Sequence, residues 1–222
     1  NMAVLLIGNP VLGMTINLRP SWAMSVFILN TALFGIGFFL FIFISAIIFV
    51  RLAQYALPPA ETTPSFGIFL SAVGLAVSAI IDLTKHAQTM GILGSTDFAA
   101  ILAAVIWGFG IWIVGIIMII SIFQLRRGGI PFNLGWWAFI FPLAAYTLAS
   151  QKIASNFATS LTYTYTLCLT VLLTLLWVYT FSNTVRGIVS GKLFRGIPIK
   201  PVFPITDQRS PGIEKEIKAQ QM

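Results

Sequence analysis

The chain has 222 residues, of which 58% are hydrophobic, 14% aromatic and only 9% charged, and its mean hydropathy is +0.93. Soluble globular domains carry about 25% charged residues, so this composition excludes a soluble enzyme or binding module and predicts a polytopic membrane protein. The net charge of +7 would suggest nucleic acid as a partner of a soluble protein. In a membrane protein an excess of basic residues in the loops on one side explains it, so we expect no nucleic-acid partner.

The first segment, residues 1–18, is apolar but contains Asn9-Pro10 and is too short to cross a bilayer by itself. We expect it to be either an interfacial segment or the end of a preceding helix. The chain begins with Asn1, whereas removal of an initiator methionine normally leaves a small residue. We therefore expect that translation starts upstream.

Five stretches without Asp, Glu, Lys or Arg follow, each of at least 20 residues. A helix needs about 20 apolar residues to cross a hydrocarbon core of ~30 Å, so we expect an all-α integral membrane protein with five full spans in a transmembrane domain over 19–187. Alternating strands of a membrane β-barrel would be shorter. The predicted spans are 22–50, 65–84, 98–124, 134–153 and 159–184. The remaining residues, 188–222, are basic and contain four prolines, which is typical of an irregular tail.

The basic residues are distributed unequally between the two sides that these spans define. Ten of the thirteen fall on one side, and only Arg19, Lys85 and Lys152 fall on the other. Basic loops face the cytoplasm, so we expect the C-terminal tail to be cytoplasmic. We expect the protein to lie in the plasma membrane. The ten are Arg51, Arg126, Arg127, Arg186, Lys192, Arg195, Lys200, Arg209, Lys215 and Lys218.

The second span carries a narrow stripe of small residues. Gly67, Ser71, Gly74 and Ser78 follow one another at i, i+4, i+7 and i+11, which puts them on one helix face. Small residues on one face favour close helix–helix packing in membranes. The same stripe could instead line a pore, where small side chains leave room for a solute, and the spacing is compatible with both.

The fourth span contains a proline within its apolar run. Pro142 has no N–H to donate to the Ala138 carbonyl, which predicts a kink and a free carbonyl oxygen. Within a membrane such an oxygen must be buried in protein or line a water-filled cavity. Ala138, Pro142 and Ala145 form a small face, and Phe141 lies beside the kink, where its ring could close a pore or pack against a neighbouring helix.

Titratable side chains within the spans are few. Asp82, Lys85 and His86 come together at one helix end, where we expect them to pair with one another. Lys152 ends the fourth span and could place a positive charge at a pore mouth. We found no catalytic motif, and Cys168 and His86 are the only residues of their types. We therefore expect neither an enzyme nor a bound metal or cofactor.

An ordered set of motifs resembles the tellurite-resistance/dicarboxylate transporter family, which includes bacterial TehA, fungal malic-acid transporters and plant slow anion channels. The segment from Trp136-Trp137-Ala138-Phe139 to Phe141-Pro142 is the most specific match. The others are Phe34-Gly35-Ile36-Gly37, Arg51-Leu52, Leu57-Pro58-Pro59, Pro64-Ser65-Phe66-Gly67-Ile68 and Pro131-Phe132-Asn133.

The resemblance implies five helical hairpins around a central pore, usually in a trimer, with the five spans here similar to helices six to ten. It further implies that the second and fourth spans line the pore, that Phe141 occludes it, and that the solute is a small anion or C4-dicarboxylate. The chain is about half the family's usual length, and Ser71-Ala72-Val73-Gly74 stands where that family often has a proline pair. These two departures leave a second hypothesis, a non-transporting scaffold subunit of a larger membrane complex.

Overall fold

The structure is a computed structural model that describes residues 2–55 and 59–191. Residues 1–184 form one compact unit and residues 185–222 a second. Of the second unit, the described part is the last turn of a helix, in which the Ser190 N–H donates to the Arg186 carbonyl at 3.0 Å. The predicted basic tail lies outside the described residues from position 192 onward.

The described residues fold entirely into helices and their connections, which confirms the all-α prediction. Short 3-10 helices precede three of the α-helices, at Met2–Val4, Ala60–Phe66 and Leu134–Trp136. The α-helices are α1 (Leu5–Leu18), α2 (Pro20–Gln54), α3 (Gly67–Thr89), α4 (Asp97–Arg126), α5 (Trp137–Phe157) and α6 (Ser160–Val189).

Among the described residues, four helical segments are long and apolar enough to cross a membrane, namely Pro20–Gln54, Ala60–Thr89, Asp97–Arg126 and Ser160–Val189. The chain is therefore an integral membrane protein. The fourth predicted span, 134–153, corresponds to α5, which has 21 residues but is not among these four. Its second half is polar, with Ser150, Gln151 and Lys152 in succession.

The connections end the helices through local backbone chemistry. Pro20 opens α2 directly after α1, in a position where its missing N–H costs no helical hydrogen bond. α3 ends at Thr89, and Gly91 follows two residues later with a φ of +74°, which suits a residue without a Cβ. The Gly91 and Ile92 N–H groups then donate to the carbonyls of Gln88 and Ala87, at 3.0 and 2.9 Å.

α3 lies at the centre of the larger unit and contacts α1, α2, α4 and α5. In its most apolar stretch 67% of the residues are buried, against 11–17% in the corresponding stretches of α2, α4 and α6. In α5, ten of the 21 residues are buried as well. The packed interior is therefore formed mainly by α3 and α5, while α2, α4 and α6 bury few of their residues.

Candidate functional site at the contact between α3 and α5

Two glycines of α3 touch the backbone of α5 directly. A Cβ added to Gly67 would lie 2.6 Å from the carbonyl oxygen of Ala138, and one added to Gly74 would lie 2.6 Å from the carbonyl carbon of Ala145. Seven residues separate the two contacts on both helices, which shows that α3 and α5 run parallel and stay in register over about two turns. We call this contact, formed by Gly67 and Gly74 with Ala138 and Ala145, the glycine seam.

The proline of α5 is part of the glycine seam. Pro142 leaves the Ala138 carbonyl without its usual helical donor, and Gly67 covers this oxygen from α3. So close an approach of a glycine backbone to a carbonyl is typical of weak Cα–H···O contacts between helices. The freed oxygen is thus covered by protein, one of the two environments that a membrane allows it.

The serines of the small stripe have other surroundings. Ser71 is buried at the edge of the stripe, and its hydroxyl donates to the Ile68 carbonyl at 2.7 Å, within its own helix. Ser78 is half-buried. The stripe on α3 is therefore used for close packing at its two glycines.

Phe141 lies outside the glycine seam, on an exposed strip of α5 beside it. Its side chain is 55% exposed, whereas the neighbouring Pro142 and Leu143 are buried. It belongs to a narrow stripe that α5 leaves open along its length, which we call the open stripe. The residues of the open stripe follow at i, i+4, i+7, i+11 and i+14 and are Trp137, Phe141, Ala144, Leu148 and Gln151.

Lys152 connects α5 to α3 beyond the glycine seam. Its Nζ lies 2.6 and 2.5 Å from the two carboxylate oxygens of Asp82, and about a third of each side chain is exposed. The sequence led us to expect Asp82 to pair with Lys85 or His86 on its own helix, and that expectation was wrong. The partner is on a helix 70 residues further along the chain, so the pair neutralises the Lys152 charge locally.

A polar network that the sequence did not reveal joins α4 to α5. The Trp107 indole N–H donates to Ser150 Oγ, and the Tyr146 hydroxyl donates back to the Trp107 carbonyl, both at 2.8 Å. Tyr165 of α6 stacks edge-on against the Trp107 ring at 5.3 Å. In the sequence, the signal for this contact is Gly110 within α4. A Cβ at this position would overlap the Tyr146 ring.

Among the described residues, no group of three or more His, Cys, Asp or Glu side chains could hold a metal ion. Cys168 is exposed on α6. What the site offers is a rigid, backbone-to-backbone helix pair that holds an aromatic side chain on an open stripe.

Comparison with known proteins identifies the family. The family model described as SLAC1, voltage-dependent anion channel, matches residues 1–185. The chain belongs to this family. The resemblance drawn from the Trp136–Pro142 segment and its companion motifs is thereby confirmed.

Individual relatives agree with this membership. Two uncharacterized transporters of Methanocaldococcus jannaschii are 28% and 27% identical to this chain over 193 and 192 residues, which is 86% of this chain and 55% of each relative. The sulfite efflux pump SSU1 of Trichophyton rubrum is 33% identical over 97 residues, 43% of this chain and 24% of the pump. The chain spans about half the length of the two transporters. No solved structure matches it significantly.

Proposed function

We propose that this chain forms part of a membrane transporter or channel for small anions, C4-dicarboxylates among them, and that Phe141 occludes its pore. Membership of the SLAC1 family supports an anion as the transported solute, and the similarity to a sulfite efflux pump supports a small anion. The observation that carries the proposal is the open stripe. Between Ile140 and Ala154 α5 is mostly buried, yet it leaves one strip of surface free, with Phe141 within it.

The glycine seam explains how Phe141 could act as a gate. Because Gly67 and Gly74 contact the backbone of α5, rotation of α5 about its axis would force its Cβ atoms into α3. The open stripe therefore keeps a defined direction. Opening the pore then requires only a rotamer change of Phe141, and not a movement of the helix.

The charges near this site point to a weakly charged pathway. Lys152 is neutralised by Asp82, so passage of an anion would depend on backbone and side-chain dipoles along the open stripe and on basic residues near its ends. Lys152 would attract anions at the pore mouth only after its ion pair with Asp82 had opened. We propose this role for Lys152 only when the pair is open. Ser71 and Ser78 would supply hydroxyl dipoles on α3.

The proposal includes the orientation expected from the sequence, with the C-terminal tail in the cytoplasm, a plasma-membrane location and a homotrimer. The connections before α3 and before α5 meet, since Asn133 Nδ2 donates to the Glu61 carbonyl at 3.4 Å. Arg51 and Arg126, which precede these connections, are thus at the same end of the bundle. This arrangement supports their assignment to one membrane side.

Anion flux from liposomes tests the gate. The protein is purified from its native membrane, and wild type is compared with Phe141→Ala and with Phe43→Ala. Phe43 is 66% exposed on α2 and has the same side chain, so it controls for the loss of an exposed ring. We expect severalfold faster flux in Phe141→Ala alone.

Equal flux in the two variants, both folded, would contradict occlusion by Phe141. Absence of flux in all three proteins, together with co-purification of other subunits in fixed stoichiometry, would favour the scaffold hypothesis instead.

A further inference from the structure

A groove of about 610 Å³ runs between α2 and the segment Ala60–Thr89, which comprises the second 3-10 helix and α3. Three of the motifs that resemble the family contribute to its walls. The lining residues from these motifs are Arg51, Pro59, Ser65, Phe66 and Ile68. The motifs therefore share one location in the fold, outside the open stripe.

The polarity of the groove changes along its length. The residues that α2 contributes follow at i, i+3, i+7 and i+10, on one helix face, and are Phe41, Ile44, Ile48 and Arg51. Because α2 and α3 are consecutive, the opposite wall runs back from Thr62 and Ser65 at the Arg51 end to Phe69 and Ala72. One end of the groove is thus apolar, while a guanidinium and two hydroxyls line the other.

The polar groups at this end are available to a ligand. Arg51 is exposed, and it has no ion pair in the described part of the chain, where the one pair joins Lys152 to Asp82. The Thr62 hydroxyl donates to the Pro59 carbonyl at 2.8 Å, whereas the Ser65 hydroxyl has no hydrogen bond among the described residues. Arg51 and Ser65 are therefore free to donate, and a guanidinium has no acceptor atom, which favours an anion.

The length of the groove corresponds to one leaflet of a bilayer. From Phe41 to Arg51 α2 advances about 15 Å, at about 1.5 Å per residue, and this is half of a hydrocarbon core of ~30 Å. Arg51 lies in the last turn of α2, and Tyr55 just beyond it is 69% exposed, which is typical of the membrane interface. The apolar walls therefore lie at the depth of acyl chains and Arg51 at the depth of headgroups.

An occupant has to match both ends of the groove. Both walls belong to segments that are long and apolar enough to cross a membrane. Ile44 on one wall and Ile68 on the other are 54% and 59% exposed, so the apolar part is open to lipid. A small anion would contact only the Arg51 end and a neutral acyl chain only the other, whereas an anionic phospholipid matches the two.

We propose that this groove binds an anionic phospholipid, with its phosphate at Arg51 and Ser65 and an acyl chain along Ile48 and Ile44. Arg51 selects the charge of the headgroup, since one Lys or Arg near the surface contributes about a fivefold preference for an anionic lipid. The site is separate from the proposed pore, because it requires none of the residues of the open stripe.

Native mass spectrometry of the purified protein tests the headgroup contact, with dioleoyl phosphatidylglycerol and dioleoyl phosphatidylcholine as probes. We expect the wild type to bind phosphatidylglycerol about fivefold more tightly, and Arg51→Gln to bind both lipids equally. Arg19→Gln removes an exposed arginine that precedes the other end of α2 and should keep the preference. Equal binding of the two lipids by the wild type, or an undiminished preference in Arg51→Gln, would overturn the proposal.

The same measurement tests the acyl-chain contact. Ile44→Trp fills the groove and should lose both lipids, whereas Ile47→Trp, at a 70% exposed position of α2 that does not line the groove, should lose neither. Equal lipid binding by these two variants would leave only a phosphate contact, as for a free anion, and would overturn the proposal. If Ile44→Trp does not fold, Ile68→Trp fills the groove from α3 and replaces it.

Discussion

Substitution of Gly74 by alanine tests the glycine seam most directly. The added Cβ would lie 2.6 Å from the carbonyl carbon of Ala145, 2.7 Å from its oxygen and 2.7 Å from the Tyr146 nitrogen, whereas ordinary contacts are 3.4–4 Å. All three atoms belong to the backbone and cannot move aside by a rotamer change. The two helices must therefore separate by several tenths of an ångström along their tightest contact.

The expected cost follows from two opposing terms. Overpacking of a closely packed interior destabilises by about 1–3 kcal/mol, while replacing a helical glycine by alanine favours the helix by up to about 1 kcal/mol. Gly115 of α4 isolates the second term, because nothing lies within 4 Å of its added Cβ. We expect Gly74→Ala to lower the free energy of unfolding by up to about 2 kcal/mol, as the difference of these terms, and Gly115→Ala to leave it unchanged or to raise it.

Denaturant titration and thermal unfolding in detergent micelles measure both variants against wild type. The double variant Gly74→Ala/Ala145→Gly should stay destabilised, because the clash involves the Ala145 backbone and not its side chain. Stability of Gly74→Ala equal to that of Gly115→Ala would refute the seam. Recovery in the double variant would show that the two helices meet through side chains instead.

Two further interactions between helices can be measured in the same way. A double-mutant cycle of Asp82→Asn and Lys152→Met should give a coupling of about 1 kcal/mol, since both side chains keep a third of their surface exposed; additive effects would show that the pair contributes nothing. Ser150→Ala leaves the Trp107 indole N–H without its acceptor and should destabilise by about 0.5–2 kcal/mol. Ser155→Ala, at an exposed hydroxyl that bonds only within α5, is its control, and equal effects of the two would mean that the Trp107 contact adds no stability.

The positions of the helices could be predicted from the sequence because they depend on local composition. The predicted spans 22–50 and 98–124 correspond to α2 at Pro20–Gln54 and α4 at Asp97–Arg126. An apolar run between charged residues must bury its backbone hydrogen bonds in a helix wherever it lies in a membrane. The motifs around Trp136 and Pro142 were likewise sufficient to identify the family, since they are read along the chain.

The candidate site depended on contacts between residues far apart in the sequence. The spacing of Gly67 and Gly74 was compatible with a packed face and with a pore face, and only the position of α5 placed the Ala138 and Ala145 backbones against them. In the same way, nothing local distinguishes Lys152 from the other residues that could have paired with Asp82.

The sequence by itself thus determined the class of protein, the approximate helices and the family. The tertiary structure decided which helix faces meet, which ion pair forms and which surface of α5 stays open around Phe141. The physical reason is that helix formation in a membrane follows from hydropathy over about 20 neighbouring residues. Partner choice instead depends on how closely two backbones can approach, and that is set jointly by small residues on two separate helices.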